Sequence, residues 1–250
     1  MGNLWGKRVL TIGLSTWVLA GCAAEETVEV PEAALPGLAS PSGDALPATR
    51  TAGERLGKAD GYDPRDQYPE QYGFTAAPSV DVVLPGEFEP TNQLLIGWGP
   101  GAEQNADFFT TIAAKASHEV PVTIYIGSQT EANEAYSNLA YAGADLDAVS
   151  FAGANLDSIW MRDYGPMVVR ADNGDQVVVD GRYYWGRWND DYMPTVFANR
   201  DDLEVVRPAI DIEGGNLLGD GTGTCVTTES LVTRQASYGY DTSDSLLYTS

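Results

Sequence analysis

The chain has 250 residues, with 36 acidic against 14 basic side chains and a formal net charge of −22. Such a surface repels phosphate backbones and attracts cations, so no nucleic-acid partner is expected. One histidine, His118, and two cysteines, Cys22 and Cys225, form no Cys/His cluster of the kind a zinc site needs.

In chain order, the first segment reads as a targeting signal. Lys7 and Arg8 form a basic flank, Val9 to Ala20 an apolar run too short for a membrane-spanning helix, and Leu19-Ala20-Gly21-Cys22 a bacterial lipobox. Residues 1–21 are therefore expected to be removed, leaving Cys22 as an acylated N-terminus and Cys225 without a disulfide partner. Ala23 and Ala24 carry no aspartate signal for inner-membrane retention, so the expectation is an exported lipoprotein anchored in the outer membrane; the alternative is an ordinary secretory signal. Residues 22–80 are rich in Ala, Pro, Gly, Glu and Asp, with Pro31, Pro36, Pro41 and Pro47 scattered through them. They lack a helical or strand period and read as a flexible linker that cannot bury enough surface to offset its chain entropy.

Residues 81–250 hold most of the aromatic side chains and read as the folded domain. Leu94–Trp98 is a short apolar run of buried-strand type. A helix is predicted over 102–117, a strand over 121–126, and a helix over 130–141 with Thr130 as its cap. A short strand follows at 148–151. Residues 167–170 and 176–179 flank Asn173-Gly174 and predict a hairpin. A short helix is expected within 191–201, a strand over 204–210, and a second hairpin from 216–218 and 225–228 across the Gly-rich 219–223. Helices alternating with strands, plus hairpins, indicate a mixed α/β fold.

Two motifs carry the chemistry. The first is Trp160-Met161-Arg162-Asp163-Tyr164-Gly165-Pro166; the second, further along, is Asp211-Ile212-Glu213-Gly214-Gly215-Asn216. Gly165 and Pro166 force a turn that would hold the Asp163 carboxylate at a strand end. Two glycines in succession let the backbone approach a neighbour closely or adopt positive φ. In this order the motifs resemble the guanidino-group deiminases, namely the agmatine deiminases and the Porphyromonas-type peptidylarginine deiminases. The resemblance implies a pentein fold, a propeller of ββαβ modules around a central site, of which residues 85–235 would supply the N-terminal portion.

A guanidinium is a planar cation that donates five N–H bonds, so its site needs carboxylates in its plane and an aromatic or apolar wall on its face. The resemblance assigns Asp163 to gripping the guanidinium and Glu213 to orienting a catalytic histidine. Trp160 either stacks on the substrate or belongs to the core. The resemblance also places Asn216 among the substrate-binding residues. Arg162 reads as a structural partner, and Asp163 paired with Arg162 is the plainer alternative for that carboxylate. Arg187, in Arg187-Trp188-Asn189-Asp190-Asp191, matches the second of two arginines that hold a substrate carboxylate in the peptidylarginine enzymes. The first of these positions is Trp185 here. Arg187 is otherwise a surface arginine.

The implied reaction is hydrolytic deimination. A cysteine thiolate adds to the guanidinium carbon, ammonia leaves, and water hydrolyses the amidino-thioether to a ureido product. No metal or organic cofactor is implied. Neither His118 nor Cys225 fits the expected order, and both read as structural, so the chain is expected to be a C-terminally truncated portion, inactive alone. The expected substrate is an arginine-containing peptide or free arginine. The alternatives are agmatine deimination in putrescine synthesis and a non-catalytic lipoprotein that binds guanidino ligands.

Overall fold

A computed structural model describes residues 68–237 of the chain. The signal segment 1–21, the acylation site Cys22 and the greater part of the 22–80 linker lie outside the described residues.

The first sheet is parallel, in the order β2-β3-β4, from Leu94–Trp98 (β2), Val122–Ile126 (β3) and Val149–Gly153 (β4). Helices Ala106–Ala116 (α2) and Gln129–Tyr141 (α3) make the crossovers between these strands. The central strand β3 is buried at every position, as expected for a β-branched run in a parallel sheet covered on both faces. Its alternation divides two cores. Val122, Ile124 and Ile126 pack with Ala113, Ala135 and Leu139 on the helical face. Tyr125 points the other way, into a cluster with Leu156, Tyr164, Tyr183 and Tyr192.

The second sheet has the order β1-β5-β6-β7, from Val82–Val83 (β1), Met167–Ala171 (β5), Gln176–Val179 (β6) and Glu204–Val206 (β7). Strands β5 and β6 form the predicted hairpin, with Gly174 at φ 89° in its turn. The chain then crosses through Trp188–Asp191 (α5) and Met193–Arg200 (α6) to the parallel strand β7. Leu217–Gly219 (β8) and Cys225–Thr227 (β9) form a separate antiparallel hairpin, followed by Glu229–Ser237 (α7). The fold is mixed α/β; the described residues hold three sheets and no closed ring.

Several expectations are corrected. The linker boundary at residue 80 lies inside packed structure. Pro69–Tyr72 is helical (α1), and Tyr72 is buried with its ring stacked 3.9 Å from that of Tyr192. Thr75 exchanges bonds with Arg207, giving its N–H to the Arg207 carbonyl at 3.0 Å and accepting the Arg207 N–H at 2.8 Å. Helix α3 starts one residue earlier than predicted and is capped by Ser128, whose hydroxyl oxygen accepts from Glu131 N–H at 3.2 Å. The helix expected in 191–201 begins at Trp188 and is divided at Tyr192, just before Pro194, which has no N–H to continue the ladder. Strand β7 stops at Val206, because Arg207 turns to Thr75 and Pro208 cannot donate. Asp163 does not end a strand. It sits in a single helical turn, Met161–Tyr164 (α4).

Candidate active site

The two motifs meet at α4. Asp163 donates its backbone N–H to the Trp160 carbonyl at 2.8 Å, and the Gly165 N–H closes the turn on the Met161 carbonyl at 2.8 Å. Gly214–Asn216 forms a short 3-10 turn directly against it, entered by Glu213 in extended conformation. A Cβ on Gly214 would come within 2.5 Å of the Arg162 carbonyl oxygen, and one on Gly215 would overlap Asp163 Oδ1. Neither glycine has positive φ. The pair is required by close approach, which lets the Gly215 N–H donate to the Asp163 carboxylate.

The second motif is held in place from two sides. The Arg182 N–H donates to the Ile210 carbonyl and the Ile212 N–H to the Arg182 carbonyl, each at 2.8 Å. On α7, Gln235 accepts the Asp211 N–H at 2.9 Å and donates to the Asp211 carbonyl at 2.7 Å.

Asp163 has its carboxyl pushed above the ordinary carboxylate range, first by burial and second by the negative charge of Glu213. Arg162, the Gly215 N–H and Arg187 oppose that shift. The Glu213 charge makes an ionised Asp163 costlier, and a nearby cation would offset that cost. A guanidinium would relieve that repulsion.

The other predicted residues are less uniform. Trp160 is half-buried and packs against the larger core with Met161 and Trp188. Arg162 pairs with Glu87 rather than with Asp163, and both partners are more than half exposed, so the pair adds little stability. Asn216 Oδ1 accepts the Thr228 N–H at 3.3 Å and the Asn216 carbonyl accepts the Thr227 hydroxyl at 2.7 Å, so this residue ties its turn to β9. Arg187 is not a surface arginine. It is 0% exposed, 5.0 Å from the centroid of the Tyr184 ring and 6.0 Å from that of Tyr183. Its charge acts on Asp157 and Asp163 from within the core.

His118, on the turn after α2, contacts the Gly143 carbonyl through Nε2 at 3.0 Å. Cys225, in β9 opposite Gly219, has its thiol pushed up by burial and by Asp220, which disfavours a nucleophilic thiolate. Among the described residues, no group of three His, Cys, Asp or Glu side chains could hold a metal ion. A cleft of about 380 Å³ opens beside α4, lined by Leu84, Leu95, Met161, Arg162, Gly214 and Leu217 among others. It borders both motifs, although neither Asp163 nor Glu213 lines it.

One group escaped the sequence reading. Asp157 and Asp190 are 5% and 0% exposed and interlock. Asp190 Oδ1 accepts the N–H of Asp157 at 2.8 Å and of Ser158 at 3.2 Å, while Oδ2 lies 2.6 Å from Ser158 Oγ. In return, Asp157 accepts the Asn189 N–H and the Asn189 side-chain amide, each at 2.8 Å. The available signal was the Asn189-Asp190-Asp191 run, but its partner lies 33 residues away.

Comparisons with known proteins identify the family. The family profile described as Porphyromonas-type peptidyl-arginine deiminase matches residues 83–239. An agmatine deiminase of Pseudomonas aeruginosa is 30% identical over 177 residues, covering 62% of this chain and 46% of that protein. One of Ectopseudomonas mendocina is 29% identical over 179 residues, again covering 62% of this chain and 46% of the relative. The solved agmatine deiminase of Enterococcus faecalis superposes with a TM-score of 0.55 at 23% identity, covering 63% of this chain and 47% of that one. The chain thus spans under half the length of each of these relatives. Over the stretch that carries both motifs, it belongs to the Porphyromonas-type peptidyl-arginine deiminase family.

Proposed function

We propose that this chain supplies the guanidinium-gripping portion of a hydrolase that deiminates a guanidino group at its C–N bond, releasing ammonia and leaving a ureido product. Asp163 would accept the in-plane N–H groups, with Glu213 as its neighbouring carboxylate and Trp160 as the apolar wall. The single observation that supports this most is the contact between motifs: Gly214 and Gly215 lie so close to Arg162 and Asp163 that no side chain fits between them. The cysteine and histidine steps have no candidates among Asp163, Glu213 and their neighbours. The chemistry therefore needs groups beyond those described.

The substrate is a guanidino compound of the arginine or agmatine type. Arginine, free or in a peptide, was favoured by Arg187 as an anchor for a carboxylate. Its complete burial removes that ground, and relatives named agmatine deiminases favour agmatine as the second reading. Export on an acylated Cys22 belongs to the same proposal and rests on the order of residues 7–22.

Calorimetric titration of the full chain with agmatine and, in parallel, with a short arginine peptide tests the site. Charge-assisted hydrogen bonds contribute about 1.5–3 kcal/mol, so Asp163→Asn should weaken the preferred ligand roughly 10- to 100-fold. The ligand binds the ionised carboxylate, and burial with Glu213 raises the Asp163 pKa. Affinity should therefore keep rising with pH above the ordinary carboxylate range. Equal binding by wild type and Asp163→Asn would sink the proposal.

A further inference from the structure

The turn that presents Asp163 is not held by its own motif alone. It is entered through Asp157, Ser158 and Ile159. The backbone there is set by Asp190, which accepts two successive amides and meets the Ser158 hydroxyl. The turn is closed by the Tyr164 hydroxyl, which donates to the Ser158 carbonyl at 2.9 Å. Ser158 is 0% exposed and thus joins both ends of the turn from inside the core. The brace is reciprocal, because the Asp157 carboxylate fixes the backbone of Asn189 at the start of α5. A bulk structural role does not require two acids here. Burying a carboxyl costs several kcal/mol unless its oxygens are satisfied, whereas an apolar pair would fill the same space.

We propose that Asp157 and Asp190 act as a pair of positioning residues that set the α4 turn and so aim the Asp163 carboxylate at a guanidinium. The inference rests on the reading of Asp163 as the guanidinium partner. The groups facing the pair are Arg187 on the Asp157 side and Tyr164 and Tyr183 around it. Two interlocked buried carboxyls cannot both ionise at low cost. Burial pushes the Asp157 carboxyl up as well, opposed by its three N–H bonds from Asn189 and Asp190 and by the nearby Arg187 charge. Asp190, with burial first and Asp157 second pushing its pKa up to about 8, carries the proton at neutral pH. The Ser158 hydroxyl donates to Asp190 Oδ2 at 2.6 Å; a proton held on Oδ2 reverses that contact, with the hydroxyl accepting. When Asp190 loses it, a second uncompensated charge enters the core beside the turn.

The test uses the full chain with agmatine as the probe, read by calorimetry from pH 6 to 9.5 and by amide hydrogen exchange at residues 158–164. Asn at position 190 imitates the neutral acid: its carbonyl accepts the two amides and its NH2 meets Ser158 Oγ. Asp190→Asn should therefore bind agmatine within about twofold of wild type at pH 7, while Asp190→Ala, which loses every one of these bonds, should bind about tenfold more weakly or worse. Wild-type affinity should fall above pH 8, and that of Asp190→Asn should not. Exchange at Ser158 and Tyr164 should speed up in Asp190→Ala alone. Should that variant fail to fold, Ser158→Ala, which removes one oxygen from the brace, should give a several-fold loss and the same local exchange.

Equal affinity and equal exchange in the alanine variant would overturn the proposal. So would parallel losses in Asn and Ala with no pH inflection, because simple core packing gives that pattern. If no form binds agmatine, the guanidinium reading fails, and exchange at the turn still decides whether the brace exists.

Discussion

At the residue level, the site depends on what is absent at positions 214 and 215 as much as on the carboxylates. A methyl group on Gly215 would overlap Asp163 Oδ1, and relief would have to come from parting the two motifs. Gly215→Ala is therefore expected to cost about 1–3 kcal/mol of stability, the usual range for overpacking. It should also weaken guanidinium binding, since the Gly215 N–H to Asp163 is lost with the displacement. Denaturant midpoints and agmatine titration measure the two effects. A variant as stable and as tight-binding as wild type would show that the close approach has no energetic consequence. The Glu-Gly-Gly run was legible in the sequence, but it left two explanations open, positive φ or close contact, and contact is what the structure shows.

Among the elements, the parallel sheet β2-β3-β4 is the platform. Strand β3 is buried throughout because α2 and α3 cover one face and the tyrosine-rich cluster covers the other. Leu139 on α3 is 0% exposed against this sheet, so Leu139→Ala should destabilise the chain by about 2–5 kcal/mol. Urea denaturation followed by circular dichroism reads that loss; a change under about 0.5 kcal/mol would mean that α3 is not packed as described. Strands and helices with strong local patterns were legible: β2, β3, both hairpins and the bodies of α2 and α3. Boundaries set by longer-range events were not. Helix α1 and strand β1 are short and gain their stability only by docking, Tyr72 on Tyr192 and Val82 opposite Ala171. Helix α7 lay hidden because it is short and docks through Leu231, which is buried, and Gln235, clamped on the Asp211 backbone.

For the whole molecule, the strong negative charge fits a chain that attracts cations, and the Glu213 charge beside Asp163 would favour a cation at α4. No helix among the described residues is long and apolar enough to cross a membrane. If Cys22 is the acylated terminus, Cys22→Ser should abolish incorporation of labelled palmitate and release the protein from the membrane fraction. Unchanged fractionation with no label in wild type would leave an ordinary secretory signal as the better account.

The sequence by itself determined the family, the mixed α/β class and the two motifs, and it marked Asp163 as the candidate carboxylate. These are properties of adjacent residues and short periods, and they are written locally in the chain. Only the tertiary structure decided that Arg187 is buried rather than on the surface, that Arg162 pairs with Glu87, and that Asp157 and Asp190 interlock beneath the turn. Burial and partner choice are set by segments that meet across the fold, so no local pattern could carry them. Asp163 itself shows both sides: its motif marked it as the carboxylate, while its perturbed acidity comes from Glu213 and from burial, which exist only once the chain has folded.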